Sequence, residues 1–156
     1  MTLVPGCVSC DLVSGRRTSP GGTIYEDDYW RGFLIVKLKR HCEHLAELTP
    51  EEATALGQVI QMTCAALTAV LKPAKVYVCS FGDGVKHVHF WVLPRPLEMR
   101  PGMHWVMLNL DIRALLTRRF GVKRWLCDET EVAELASRVR EQFRRLLQRD
   151  RVGKGM

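Results

Sequence analysis

Twenty residues near the middle of the chain constrain its fold more than any others. Val76 to Phe81, VYVCSF, is a run of β-branched and aromatic residues, the composition of a strand. Gly82-Asp83-Gly84 is a tight turn signal. A second strand follows in GVKHVHFWVLPR, Gly84 to Arg95, ended by Pro94 and Pro96. The pair predicts an antiparallel hairpin. Successive strand side chains alternate between faces, so His87, His89, Trp91 and Leu93 share one side. Val88, Phe90 and Val92 share the other, which reads as core.

The flanking segments place helices and further strands beside this hairpin. Thr49-Pro50-Glu51-Glu52 is a helix start: Thr49 caps, Pro50 suits the first helical position and Glu52 completes a capping box. The helix is expected to run to about Leu71, with Ala53, Leu56, Ile60, Cys64, Leu67 and Leu71 on one stripe. Strands are expected within Thr23 to Trp30 and at Phe33 to Lys37. Asn109 or Asp111 is the expected cap of a short helix through Arg118. A last helix is expected from Thr130 to Arg149, with Val132, Leu135, Val139, Phe143 and Leu146 inward. Hairpins beside a helix, with no βαβ repeat, predict an α+β fold with an antiparallel sheet.

The 156 residues suit a single domain. There is no uninterrupted apolar run of membrane-spanning length, and the N-terminus lacks the basic and apolar regions of a signal peptide. A cytoplasmic protein with no membrane association is therefore expected. The net charge of +6 favours anionic partners such as nucleotides or nucleic acid. Much of the excess falls late, in Arg138, Arg140, Arg144, Arg145, Arg149 and Arg151, where a solvated helix face explains it. Of the six cysteines, Cys64 and Cys79 sit in apolar runs. Cys7 and Cys10 form a CxxC, a spacing for metal or redox chemistry in a reducing compartment.

His87-Val88-His89-Phe90-Trp91-Val92-Leu93 resembles the motif of the histidine triad (HIT) superfamily, in which histidines alternate with apolar residues. Other segments carry the same resemblance in order. Cys7 to Gly15, CVSCDLVSG, is similar to the family's CxxC opening. Tyr25-Glu26-Asp27-Asp28 resembles its acidic strand end, and Val36 to His41 its V-x-P-K-x-H segment. His44 to Thr49 resembles the continuation into its first helix. The resemblance spans Cys7 to Arg95; the C-terminal third carries no recognised motif.

This resemblance implies a HIT-like α+β fold: an antiparallel sheet of about five strands, a long helix and C-terminal helices, commonly paired as a homodimer. It implies one domain over 1–156, with a zinc-stapled arm at 1–22 and a helical extension at 108–156. It implies His89 as the nucleophile of a nucleotide hydrolase or nucleotidyl transferase. His89 would attack an α-phosphorus and form a nucleotidyl-histidine. Trp91, Ser80 and Arg95 would serve the phosphates or nucleotide, with Lys86 a further cation considered for the same role. Structural zinc is implied at Cys7, Cys10, His41 and His87, a closed Cys2His2 set; His44 competes with His41.

The chain departs from the family pattern in three places. Trp91 occupies the third histidine position, and an indole donates one hydrogen bond but cannot take up and release a proton at neutral pH. The turn Ser80 to Val85 is short and keeps only Ser80 as a polar stand-in for the phosphate-binding loop. Asp28 to Phe33 runs directly into the next strand, without the family's intervening element, which leaves base and ribose contacts unassigned. Two alternatives therefore stand beside the enzyme: a HIT-fold nucleotide binder with weak catalysis, and a zinc-stabilised nucleic-acid-binding module using the basic helices. A CxxC redox role has no support from its flanks.

Overall fold

Antiparallel pairing around one central strand organises the sheet that carries the histidines. The computed structural model describes residues 3–18, 29–30, 32–82, 84–102 and 126–153. In chain order the elements are α1 (Val8–Ser14), β1 (Tyr29–Trp30), β2 (Leu34–Lys37), a 3-10 turn (Leu45–Glu47), α2 (Pro50–Leu71), β3 (Lys75–Cys79), β4 (His89–Arg95), β5 (Leu126–Cys127) and α3 (Glu129–Gly153). β4 lies between β2 and β3 in a three-stranded sheet, while β1 and β5 form a separate two-stranded ribbon. The single sheet of about five strands expected from the sequence is thus divided in two among the described residues. The expected helix of Asn109 to Arg118, the segment Thr23 to Asp28 and the turn residue Asp83 lie outside the described residues.

The predicted hairpin is present, with Val78 and Cys79 of β3 opposite Val92 and Trp91 of β4. β4 runs through Pro94 to Arg95 as expected but starts at His89, five residues later than the stretch from Gly84. β2 pairs with β4 only as far as Leu34 opposite Val92. Pro94 therefore lies where β4 has a neighbour on one side only, a position that tolerates its missing N–H. His87 and Val88 precede the strand proper, yet their backbone is tied in. The Val88 N–H donates to Cys42 O at 2.7 Å, and the Leu38 N–H donates to Val88 O at 3.3 Å.

α2 starts as its sequence predicts. The Glu52 N–H donates to Thr49 Oγ1 at 3.2 Å, and the Thr49 N–H donates to Glu52 Oε2 at 3.0 Å, a complete capping box with Pro50 beside it. It ends on Lys72 in the left-handed region, one residue before Pro73. By length and composition alone α2 could cross a membrane. Here its C-terminal half is a core helix. Ala66 and Leu67 are fully buried with Val92 and Val139, and Leu34, Val36, Val76, Leu135, Phe143 and Leu146 pack around them. The buried stripe comprises Thr63, Ala66 and Leu67, with Cys64 and Leu71 against it; Ala53 is exposed. The stripe is rotated from the sequence expectation because α3 packs against one flank of α2. α3 contributes Val132, Leu135, Val139, Phe143 and Leu146 inward as predicted.

Alternation fixes the sides of the sheet. Leu34, Val36, Val76 and Val92 face α2 and α3. Phe33, Ile35, Lys37, His89 and Trp91 therefore share the face turned away from these helices. Gly32 marks the entry to β2. Its φ is +79°, and an added Cβ would lie 2.4 Å from Leu71 Cδ1 and 2.9 Å from Pro94 Cγ. Glycine is required there both by conformation and by space.

Candidate metal centre and neighbouring histidine

Four side chains from three distant segments meet beside the start of β4. Cys7 is the N-cap of α1, and Cys10 lies in the first turn of that helix, so the CxxC spacing turns both sulfurs to one side. His41 follows β2, and His87 precedes β4. One donor atom from each lies within 4.8 Å of every other. The Cys7 Sγ to His87 Nδ1 distance is 3.6 Å, Cys10 Sγ to His41 Nδ1 is 3.6 Å, and Cys10 Sγ to His87 Nδ1 is 3.8 Å. With metal–sulfur and metal–nitrogen bonds near 2.3 and 2.0 Å, a tetrahedron has S···N edges of about 3.5 Å. The arrangement thus fits a tetrahedral, soft-ligand ion such as zinc. His44 is exposed and caps the 3-10 turn instead, outside the cluster.

The outer partners favour the same use. His87 Nε2–H donates to Leu38 O at 3.0 Å, which leaves Nδ1 as the lone-pair atom facing the sulfurs. Burial pushes the His87 imidazole below the usual histidine value, and it is therefore neutral near pH 7. His41 Nε2 lies 3.5 Å from Glu43 Oε1, a carboxylate behind a ligand histidine. Arg40 anchors the His41 segment: its Nε and Nη2 donate to the two Glu52 oxygens at 2.6 and 2.7 Å, and Nη2 also donates to Glu47 O at 2.9 Å. Cys10 is fully buried, and burial pushes its thiol up, a penalty that a bound metal cation removes by taking the sulfur as thiolate.

His89 lies next to this cluster and is 8 % exposed. Its Nδ1–H donates to His87 O at 2.6 Å. That bond fixes the tautomer in which Nε2 carries the lone pair. A neutral imidazole so held is oriented with its Nε2 lone pair at the atom a nucleophile would use.

The other sequence-predicted residues are not gathered in the same way. The Trp91 ring meets Phe33 and Phe81 edge to face, with centroids 5.4 and 5.3 Å apart. The hydroxyl of Ser80 donates to His89 O at 2.9 Å, so it braces the strand. Arg95 lies six residues along β4 from His89, about 20 Å away. One of its guanidinium N–H groups donates to Met99 O. The structure does not bring Arg95 to His89, and Lys86 is exposed and outside β4.

Lys37 is the residue that sequence reasoning missed. It pairs with His89 across β2 and β4. Its Nζ is buried with no hydrogen-bond partner among the described residues. Burial pushes the ammonium below the usual lysine value, opposed by the charges of Cys7 and Cys10. The available signal was a lysine at alternate spacing within FLIVKL, but its partner depends on a register that the sequence does not display.

Comparison with known proteins bears on the fold that carries these residues. The model of the HIT domain matches residues 24–97. No curated protein matches the chain by sequence comparison. Among solved structures, a histidine triad nucleotide-binding protein from Sulfolobus tokodaii is similar, with a TM-score of 0.62 at 16 % identity over 90 % of this chain and 93 % of that one. A Hit-like protein involved in cell-cycle regulation from Bartonella henselae gives a TM-score of 0.61 at 16 % identity over 91 % of this chain and 99 % of that one. A zinc-bound histidine triad family protein from Mycobacterium smegmatis gives 0.58 at 23 % identity over 92 % of this chain and 96 % of that one. Residues 24–97 therefore match the HIT domain, and the fold is that of histidine triad proteins, with Trp91 where the motif's third histidine would stand.

Proposed function

We propose that this protein is a zinc-containing nucleotide hydrolase or nucleotidyl transferase that works through a nucleotidyl-histidine on His89. The observation that carries the reading is the His89 ring. With Nδ1–H committed to His87 O, Nε2 is left as the nucleophile. In the step, the Nε2 lone pair forms a bond to the α-phosphorus while the bond to the leaving group breaks and its electron pair departs with that group. Water or another acceptor then cleaves the N–P bond, and its proton passes to solvent as the imidazole is restored. The leaving group takes its proton from solvent, because the Trp91 indole N–H does not ionise near neutral pH and cannot act as a general acid. Release of a poor leaving group is accordingly slow.

Zinc held by Cys7, Cys10, His41 and His87 is structural in this reading: four protein ligands leave no open position for substrate. It staples the arm at 1–22 to the residues preceding β4. The support is the donor set itself and the zinc in the Mycobacterium smegmatis protein. The chain is taken as one domain over 1–156, with the region from 108 to 156 as a helical extension. The homodimer is taken from the family resemblance alone, and the cytoplasmic location from the sequence expectation above.

A second reading is favoured by Trp91. A neutral indole packed between Phe33 and Phe81 cannot act as a proton donor to a leaving group, and the fold would then hold a nucleotide with little turnover. The zinc-stabilised nucleic-acid module is less supported, since α3 carries Glu129, Glu131 and Glu134 before its arginines. The zinc-replete protein should be incubated with adenosine 5′-phosphoramidate and with a dinucleoside polyphosphate, beside His89→Ala. Mononucleotide release that disappears in the variant is expected. Nucleotide binding without release selects the second reading. Steeply salt-dependent binding to long nucleic acid with no mononucleotide affinity selects the third.

A further inference from the structure

Nucleotidyl transfer, as proposed above, develops negative charge on the phosphoryl oxygens beside His89. Arg95 is about 20 Å along the strand from that position. Trp91 is neutral. Lys37 is the cation facing His89 directly: the two residues are cross-strand partners, on the face turned away from α2 and α3. Side chains so paired start about 5 Å apart, and the flexible lysine stem can carry its ammonium over the neighbouring imidazole.

The ammonium is also in a state that calls for an anion. Its nitrogen is buried with no acceptor among the described residues. A buried charge without a partner is costly and persists where something compensates it. Two kinds of anion could compensate it: the Cys7 and Cys10 thiolates, whose charges act on it, and a phosphoryl group bound at His89. With zinc in place, two thiolates, one dication and two neutral imidazoles sum to zero. That cluster leaves no net negative charge for Lys37, whereas a phosphoryl group does.

We propose that Lys37 is a catalytic residue of this protein, donating to the α-phosphoryl oxygens while His89 attacks. The assignment rests on the nucleotidyl-transfer reading. Lys37 keeps its proton throughout and acts by charge, which supplies the electrostatic part of what a third histidine would give and not the proton-transfer part.

The test is calorimetric titration of zinc-replete native protein, Lys37→Met and Lys37→Arg with AMP, adenosine and inorganic phosphate, with zinc content measured on each sample. Methionine keeps the apolar stem and the burial, so the variant should fold. Loss of a charge-assisted contact should weaken AMP binding about tenfold or more in Lys37→Met, leave adenosine binding unchanged, and be largely restored in Lys37→Arg. Zinc content should stay stoichiometric. Three results overturn the assignment while leaving the nucleotide reading standing: native AMP affinity in Lys37→Met, equal loss for AMP and adenosine, or AMP loss that tracks a fall in zinc. A native chain that binds none of the three probes overturns both readings together.

Discussion

The cysteine end and the tryptophan end of the histidine-bearing segment are built to different standards. At the first, Cys7, Cys10, His41 and His87 converge from positions up to 80 residues apart, and the two histidines have acceptors behind them at Leu38 O and Glu43. At the second, Trp91 packs on two phenylalanines, Ser80 braces His89 O, and Arg95 donates to a backbone carbonyl far along the strand. The contrast follows from what each end must do. A tetrahedral metal site that also ties α1 to the sheet needs all four ligands, since losing one removes most of its affinity. A phosphate site contributes little to folding, so its members can be replaced without unfolding the domain.

The largest expected effect comes from breaking the complete end. Cys10→Ser, or exhaustive chelation of the native protein, should remove zinc and lower the thermal midpoint by about 10 °C. Mononucleotide release should fall as well, because His87 O orients His89. Metal analysis with differential scanning calorimetry measures both. A zinc-free variant that melts with the native protein would show that the cluster is not a structural site.

Next in size is a change that weakens both ends equally. Gly32→Ala forces a Cβ against Leu71 and Pro94 at a φ of +79°, and about 2–3 kcal/mol of stability should be lost. Denaturant unfolding reads this directly. Zinc content and AMP affinity, measured where the variant is folded, should stay native, which separates loss of scaffold from loss of either site.

Which parts of this contrast were legible in the sequence depends on the range of the interactions. The capping box of Thr49 and Glu52 and the β3–β4 pairing are local, and they stand where the sequence places them. The candidate metal ligands were legible only through the resemblance to the HIT family, since the cluster brings together residues from both sides of α2. Register was not legible. It alone places Lys37 beside His89, and Phe33 and Phe81 around Trp91. A pattern of alternation says which face a side chain takes, not which neighbour it meets there. The separate β1–β5 ribbon, which joins residues nearly a hundred positions apart, has the same cause.

Rebuilding the reduced end should change rate more than stability. Trp91→His gives up two edge-to-face contacts, about 1–2 kcal/mol in all, and restores a proton donor beyond His89. Mononucleotide release from a phosphoramidate should rise about a hundredfold. Single-turnover assays on native and variant protein measure the gain. An unchanged rate would mean that the short Ser80 turn, and not the indole, limits transfer.

The smallest effect sharpens the complete end from outside. Glu52 holds Arg40, the neighbour of ligand His41, and closes the capping box of α2. The Arg40 guanidinium and the Thr49 N–H hold its carboxyl down to about 2. A carboxylate depressed in the folded state contributes stability that is present above its unfolded value near 4.5 and is lost as pH falls toward 2. The stability gap between native protein and Glu52→Gln should therefore be constant from pH 5 to 8 and close as pH is lowered toward 2; the metal's contribution is common to both chains. The pair is partly exposed, so the gap is small and should narrow further in high salt. Urea midpoints across that pH range test it. A gap that opens in acid would mean that the carboxylate is tolerated beside Arg40 and does not anchor the His41 segment.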